Sequence, residues 1–425
     1  MAGSLEKILR EALEPFLYRF ILIPQANRGH KRRIRAIRDR GTARVAFIMS
    51  SLPMWRFQGL YDLLKQDSRF QLLQAIYPFP TYTEEQKVSS VKQILDYCEE
   101  RGMPVINLSS ERNPGTTLKE GFNPDIVFYP QPYNDLFLND LDNQFFSDRL
   151  ICYIPYAMLT AKESWAYKNR LNNIAWRVFF QSSIRKEEAV KVLYNAGRNI
   201  RVTGEPLADL FNGAADKDVW KKQDTLKKRV IWAPHFSITE GGYLHRDSFT
   251  WLSETMREIA RQYQDRIQFA FKPHPRLKSV LYELPDWGKD RTDAYYESWA
   301  NGSNTQLETG NYIDLFKTSD AMVHDCSSFS VEYHFTEKPV LFLSSDLSGV
   351  LDKLNDFGRE AILVHYQGQT KEDIVSFLED IVLSGNDPRV DERRHFKEKY
   401  LSKPGSRSVA ENIYYDLLTS LGFEE

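Results

Sequence analysis

Short, continuously apolar runs alternate with helical patterns along nearly the whole chain, and this alternation restricts the fold more than any other feature. RVAFIMSS (44–51), FQLLQAIYPF (70–79), PVINL (104–108), PDIVFYP (124–130), LICYIPYA (150–157), WRVFFQSS (176–183) and NIRVTGEP (199–206) read as strands. Helices are expected over EEQKVSSVKQILDYCEERG (84–102) and over IRKEEAVKVLYNAG, which ends at Gly197. Strands that are apolar on both faces must be covered on both, and a parallel sheet flanked by helices does this. The pattern breaks over LADLFNGAADKDVWKKQDTLKKR, so a domain boundary is expected near residues 207–228. It resumes with VIWAPH (230–235), a helix over 247–264, IQFAFKPHP (267–275), a helix around IDLFKTSD, AMVHD (321–325) and PVLFL (339–343). Helical patterns over 372–383 and 405–421 close the chain. The expectation is an α/β protein of two doubly wound, Rossmann-type domains, over 41–210 and 228–425, the second keeping the last helices. Their strand C-termini would face a ligand cleft.

Charge and cysteine content exclude several functions. With 56 basic and 58 acidic residues the net charge is −2, and no global field draws the chain to nucleic acid. Cys98, Cys152 and Cys326 have no metal-ligand spacing, which argues for a reducing compartment and against both a disulfide framework and a zinc site. No apolar run is long enough to span a bilayer, and the order of a signal peptide is missing, so a cytoplasmic location is the expectation. Residues 1–40 stand apart. Leu5 to Pro24 is an apolar-rich helical stretch, expected to be interrupted at Pro15, and leads into a strip holding Arg28, Lys31, Arg32, Arg33, Arg35, Arg38, Arg40 and Arg44. Two readings fit it equally: a peripheral contact with an anionic membrane face, or a docked helix followed by a solvated charge run.

Three strand ends in the second half carry the chemistry. In HDCSSFSVEYHFTEKPVLFL (324–343) a strand ends at His324-Asp325, and Ser327 and Ser328 fall where the next helix begins. Free N–H groups there favour an anion, two hydroxyls add donors, and Glu332, one turn on, has the reach to accept from ribose hydroxyls. Taken alone, a serine cap with a solvent-facing glutamate accounts for the same residues. In FKPHPRLK, His274 sits between Pro273 and Pro275 with Lys272, Arg276 and Lys278 around it, suited to a departing diphosphate. In IWAPHFSITEGGYLHRDSF, His235 follows Pro234 at a third strand end, and Ser237, Thr239, Gly241 and Gly242 form a polar loop able to lie against phosphate. His245 and Arg246 follow with less positional support. No G-x-G-x-x-G or Walker loop is present to hold phosphate elsewhere.

These residues resemble the CDP-glycerol glycerophosphotransferases, which include teichoic-acid polymerases and primases. The resemblance rests on IWAPH (231–235), KPHP (272–275) and SDAMVHDCSSFSVEY with EKPVLF (319–342), and is clear over roughly residues 150–345. It implies a GT-B fold, a CDP-linked alditol donor as co-substrate, no metal or other cofactor, and release of CMP as an alditol phosphate passes to a glycan or lipid-linked acceptor. It further implies that Ser327 and Ser328 hold the donor phosphates, that His274 assists the departing CMP, and that Glu332 contacts the ribose or cytidine side. The family's Trp-His-Gly-Thr segment, source of its acceptor base, has as counterpart CYIPYAMLTA (152–161), without histidine. Tyr156, His235 and Asp325 stay open as groups for the acceptor's proton. His30, the one histidine of the N-terminal half, lies in the basic strip. Asp140-Leu141-Asp142 is expected to be an exposed loop of solvated carboxylates and not a metal site. Two rival functions remain: a GT-B transferase of another nucleotide sugar, and an inactive GT-B-like assembly protein.

Overall fold

The computed structural model describes residues 13–132, 139–141, 145–162, 167–238, 248–310, 312–326 and 328–423. Two compact units divide the chain, one of Met1–Ala157, Glu163–Asp209 and Ser402–Glu425, the other of Met158–Lys162 and Leu210–Leu401.

In the first unit seven strands form one parallel sheet: β1 (Ala43–Met49), β2 (Phe70–Ile76), β3 (Val105–Asn107), β4 (Ile126–Tyr129), β5 (Leu150–Tyr153), β6 (Arg177–Phe180) and β7 (Ile200–Val202). Their order is β3-β2-β1-β4-β5-β6-β7. β4 and β5 are buried at every position, as their unbroken apolar runs require. The second unit repeats the plan with β8 (Lys228–Ala233), β9 (Ile267–Phe271), β10 (Thr305–Leu307), β11 (Ala321–His324), β12 (Val340–Leu343) and β13 (Tyr366–Gly368), ordered β10-β9-β8-β11-β12-β13. In each sheet the winding reverses beside the first strand, between β1 and β4 and between β8 and β11. In open α/β sheets such a switch point leaves a crevice outside the strand carboxyl ends, where ligands bind.

The sequence reading finds most of these strands but misses β10 (TQL) and β13 (YQG), three residues each and without an apolar run.

The N-terminal helix departs from expectation. Residues 13–16 are helical through Pro15, a π-helical turn follows over Leu17–Leu22, and Ile23–Arg40 is α-helical. Pro24 has no N–H to return to the preceding turn, and the wider turn there re-registers the bonds, Ile23 N–H reaching Tyr18 O. Tyr18 stacks on Tyr194 with ring centroids 4.9 Å apart, and Ala26 and Ile174 complete the contact. Part of the basic strip is structural. Arg33 and Arg40 both bind the buried Asp125, which precedes β4, and Arg38 donates to Leu421 O at 2.8 Å. Asp140 is also structural, since its carboxylate accepts from Gly115 N (2.8 Å) and Thr116 N (2.7 Å) at the start of the helix Pro114–Gly121. It caps a helix and is not a solvated loop residue; Asp142 lies outside the described residues.

The last helix, Val409–Leu421, belongs to the first unit and not, as expected, to the second. Val409, Ile413, Leu417 and Leu421 join the core of β1 and its flanking helices, each at most 2% exposed. Asp209 accepts from Val409 N and Ala410 N, both at 2.9 Å, and Asp416 binds Arg177 and Arg201. The apolar pattern identifies a buried face without naming the sheet that buries it. Leu417→Ala should destabilise by about 2–5 kcal/mol. Hydrogen exchange should then quicken in β1–β7 while β8–β13 keep their protection; the reverse distribution would return this helix to the second unit.

Candidate active site

The functional edge of the second sheet is set by a carboxylate. Asp325, just beyond β11, is 1% exposed, and its Oδ1 accepts His235 N at 2.6 Å while Oδ2 accepts Ser248 Oγ at 2.5 Å. His235 lies just beyond β8, so this bond closes the β8/β11 switch point, and Ser248 anchors the start of the helix Ser248–Gln262 to it. Asp325 is therefore a positioning residue: buried, with both oxygens engaged by protein donors. Of the three groups left open for the acceptor's proton, it is the one already engaged by protein donors at both oxygens.

Two histidines are brought together. His274 N donates to Pro234 O at 3.0 Å, tying the two Pro-His segments, and the imidazoles of His235 and His274 meet edge to face with centroids 4.9 Å apart. Phe236 packs on both rings, and the Arg276 guanidinium sits 4.3 Å over the Phe236 ring. Each histidine accepts at Nδ1 from the backbone N–H two residues on, His235 from Ser237 (3.2 Å) and His274 from Arg276 (3.1 Å). An Nδ1 that accepts places the ring proton on Nε2, so the local turns select the same tautomer in both rings. Burial, then the charges of Arg276 and Lys272, push the His274 pKa down to about 4. At neutral pH it is a neutral hydrogen-bond donor and not an imidazolium acid.

Lys272 ends the same turn from β9. It is 5% exposed, its ammonium makes no hydrogen bond among the described residues, and burial lowers its pKa to about 8 against the opposing pull of Glu308 and Cys326. Beside His274 a cavity of about 240 Å³ is bordered by Pro273, Lys278, Tyr296 and Leu307. Lys278 is paired with Asp293 at 2.7 Å.

The serine turn differs from a simple cap. Ser328 precedes the helix Phe329–Glu332 and makes no side-chain capping bond; its Oγ lies 3.7 Å from Cys326 Sγ. Ser327 and Thr239 lie outside the described residues, as do Gly241, Gly242, His245 and Arg246. Glu332 is one turn on from Ser328, whose carbonyl accepts Glu332 N at 3.0 Å, but its carboxylate is 2% exposed and accepts from the Tyr312 hydroxyl. It is neither solvent-facing nor open, and a ribose would have to displace Tyr312. The helix turns this position inward because it continues into a buried 3₁₀ turn, Tyr333–Thr336.

Sequence reasoning missed Ser248, Phe236, Glu308 and Tyr312, which touch the expected residues across the sheet edge and carry no local signal. It also missed the underside of the turn. His324 is fully buried, its Nδ1 accepts Cys326 N at 3.1 Å, and its Nε2 lies 3.4 Å from His365 Nδ1.

In the first unit, Tyr156 follows β5 at the strand carboxyl edge, where burial raises its phenol pKa. The phenol stays protonated at neutral pH. His30 is buried, and burial with the charge of Arg177 lowers its pKa to about 4. Arg177 begins β6, at the edge of the sheet opposite the switch-point crevice. Among the described residues no group of three His, Cys, Asp or Glu side chains could hold a metal ion.

Two doubly wound parallel sheets give the chain the GT-B arrangement, and the second ends in paired imidazoles, a buried lysine and a serine turn. The chain belongs to the CDP-glycerol:poly(glycerophosphate) glycerophosphotransferase family, whose model matches residues 157–416. It is a CDP-glycerol-dependent transferase by that membership. Solved structures share its fold. The wall teichoic acid polymerase TagF is 12% identical with a TM-score of 0.57, covering 100% of this chain and 99% of that one. A putative UDP-N-acetylglucosamine 2-epimerase from Listeria monocytogenes is 16% identical with a TM-score of 0.57, covering 90% and 97%. The S. aureus MnaA–UDP structure is 14% identical with a TM-score of 0.56, covering 90% and 98%. No curated protein matches the chain in sequence.

Proposed function

We propose that the protein transfers glycerol phosphate from CDP-glycerol to the hydroxyl end of a cell-surface polymer acceptor, with CMP leaving, and that it does so at an anionic membrane face. The observation that carries the donor site is the imidazole pair. Both rings are held with the proton on Nε2, 4.9 Å apart, at the switch point of a family-matched domain. Neutral N–H donors of this kind stabilise charge that develops on phosphate oxygens without giving up a proton. Lys272 supplies the fixed cation, and Ser328, with Ser327 before it, supplies hydroxyl donors. In this reading the acceptor oxygen attacks the phosphorus bearing glycerol, the bond from that phosphorus to the bridging oxygen breaks, the electron pair leaves with CMP, and the acceptor's hydroxyl proton passes to the departing CMP phosphate. Phosphoryl transfer through a loose transition state needs little bonding to the nucleophile, so a weak base suffices. That fits a chain lacking the family's Trp-His-Gly histidine, with Tyr156 protonated and Asp325 engaged.

The membrane face is supported by the N-terminal helix. Leu13, Phe16, Leu17, Phe20 and Ile21 recur at helical spacing, and each is between 42% and 66% exposed. Arg28, Lys31, Arg32 and Arg35 on the following turns make no ion pair among the described residues. An apolar row beside free cations is the pattern of a helix lying in a bilayer interface, each cation contributing about 1 kcal/mol near an anionic surface. No helix among the described residues is long and apolar enough to cross a membrane.

Release of CMP from CDP-glycerol by the purified protein tests the reaction. His274→Ala and Ser328→Ala should each lower the rate about a hundred- to a thousandfold with the fold intact. Wild-type turnover in both variants would remove the assignment. Lys272 adds a pH signature. A bound diphosphate favours the ammonium and raises its pKa, so binding takes up a proton wherever the free protein has lost it. Affinity for CDP-glycerol should be level below about pH 8, fall as pH rises above it, and lose this break in Lys272→Arg. A level profile in the wild type would show that Lys272 does not meet the diphosphate.

A further inference from the structure

A cavity lies in the first unit, beneath the N-terminal helix. Its volume is about 110 Å³, several times what one water requires, and it is lined by Leu22, Gln25, Gly29, Arg32, Arg170 and Ile174. Arg170 Nε is buried without a hydrogen-bond partner, and neither Arg170 nor Arg32 forms an ion pair among the described residues. Two guanidinium groups without ion-pair partners on one small cavity form a donor set suited to an anion. The one carboxylate on the wall, Asp148, is already neutralised by Arg149 (2.6 Å), Lys119 (3.1 Å) and Arg33 (4.0 Å). One wall is apolar, formed by Leu22 and Ile174, and Leu22 is the last residue of the π-helical turn that carries the exposed apolar row.

We propose that this cavity takes the phosphate of a membrane phospholipid, whose acyl chains lie along Leu13, Phe16, Leu17, Phe20 and Ile21. The assignment rests on the membrane reading above and deepens it: diffuse attraction to negative charge becomes recognition of a phosphodiester. Arg32 and Arg170 bind its oxygens, Gln25 adds a donor, and Gly29 leaves the space a side chain would fill. Arg170 comes from the helix Arg170–Ile174, so the lipid would bridge the N-terminal helix to the body of the unit.

Sedimentation with vesicles separates the two claims. Vesicles of an uncharged glycosyl diacylglycerol are given equal negative charge with either phosphatidylglycerol or oleate, a carboxylate. The wild type should bind the phosphatidylglycerol vesicles about tenfold more tightly than the oleate vesicles. Gly29→Leu, which fills the cavity and changes no charge, should bring the two affinities together while binding to oleate vesicles holds. Arg170→Gln should do the same with a small loss on both, and Phe20→Glu should release the protein from both. Equal wild-type binding to the two vesicles would overturn the cavity assignment and leave the membrane reading standing. Binding to neither would remove both. Competition by soluble glycerol 3-phosphate would reassign the cavity to a free phosphate and overturn the lipid.

Discussion

The Asp325 carboxylate is the interaction on which the second unit's chemistry depends. It sits at the end of β11, the next strand to β8, and accepts the His235 N–H and the Ser248 hydroxyl in short, charge-assisted bonds. Through these it fixes the loop after β8, and through Pro234 O it also fixes the loop after β9 that carries His274. Three strand ends that parallel winding leaves apart at a switch point are thus held at one distance. The geometry of the imidazole pair follows from that constraint more than from any contact between the rings.

Around this frame, burial divides the labour among groups that titrate near neutrality. Burial strips His274 of its proton and leaves a neutral N–H donor, while the same effect moves Lys272 only to about 8, so it remains mostly cationic at neutral pH. The edge thus carries one full charge and two oriented dipoles. At the first unit's own strand edge Tyr156 stays protonated, and the Arg56 guanidinium donates to its carbonyl at 3.2 Å.

Much of this was legible in the sequence, and the missing parts share a physical cause. The alternation of buried strands and helices gave both doubly wound domains, because the need to cover both faces of a parallel strand is written in each run of apolar residues. The positions of His235, His274 and Ser328 beyond strand ends were legible because Pro-His and Ser-Ser there are local features. Asp325 was found at its strand end but its partners were not, since spacing does not say whether a carboxylate faces solvent or the donors of neighbouring loops. The burial of Glu332 was hidden in the same way, its partner Tyr312 being twenty residues away. The last helix was read as helix and placed in the wrong unit, because an amphipathic stripe does not say which sheet buries it. The cavity under the N-terminal helix, formed by residues more than a hundred positions apart, left no trace in the pattern.

A crystal structure of the protein with CDP-glycerol bears most directly on the central claim. The account requires the diphosphate at the β8/β11 switch point, with Nε2 of His235 and His274 and the Lys272 ammonium within hydrogen-bond distance of its oxygens and Ser328 at its side. A diphosphate bound at any other strand edge, or one that leaves both imidazoles untouched, would contradict it.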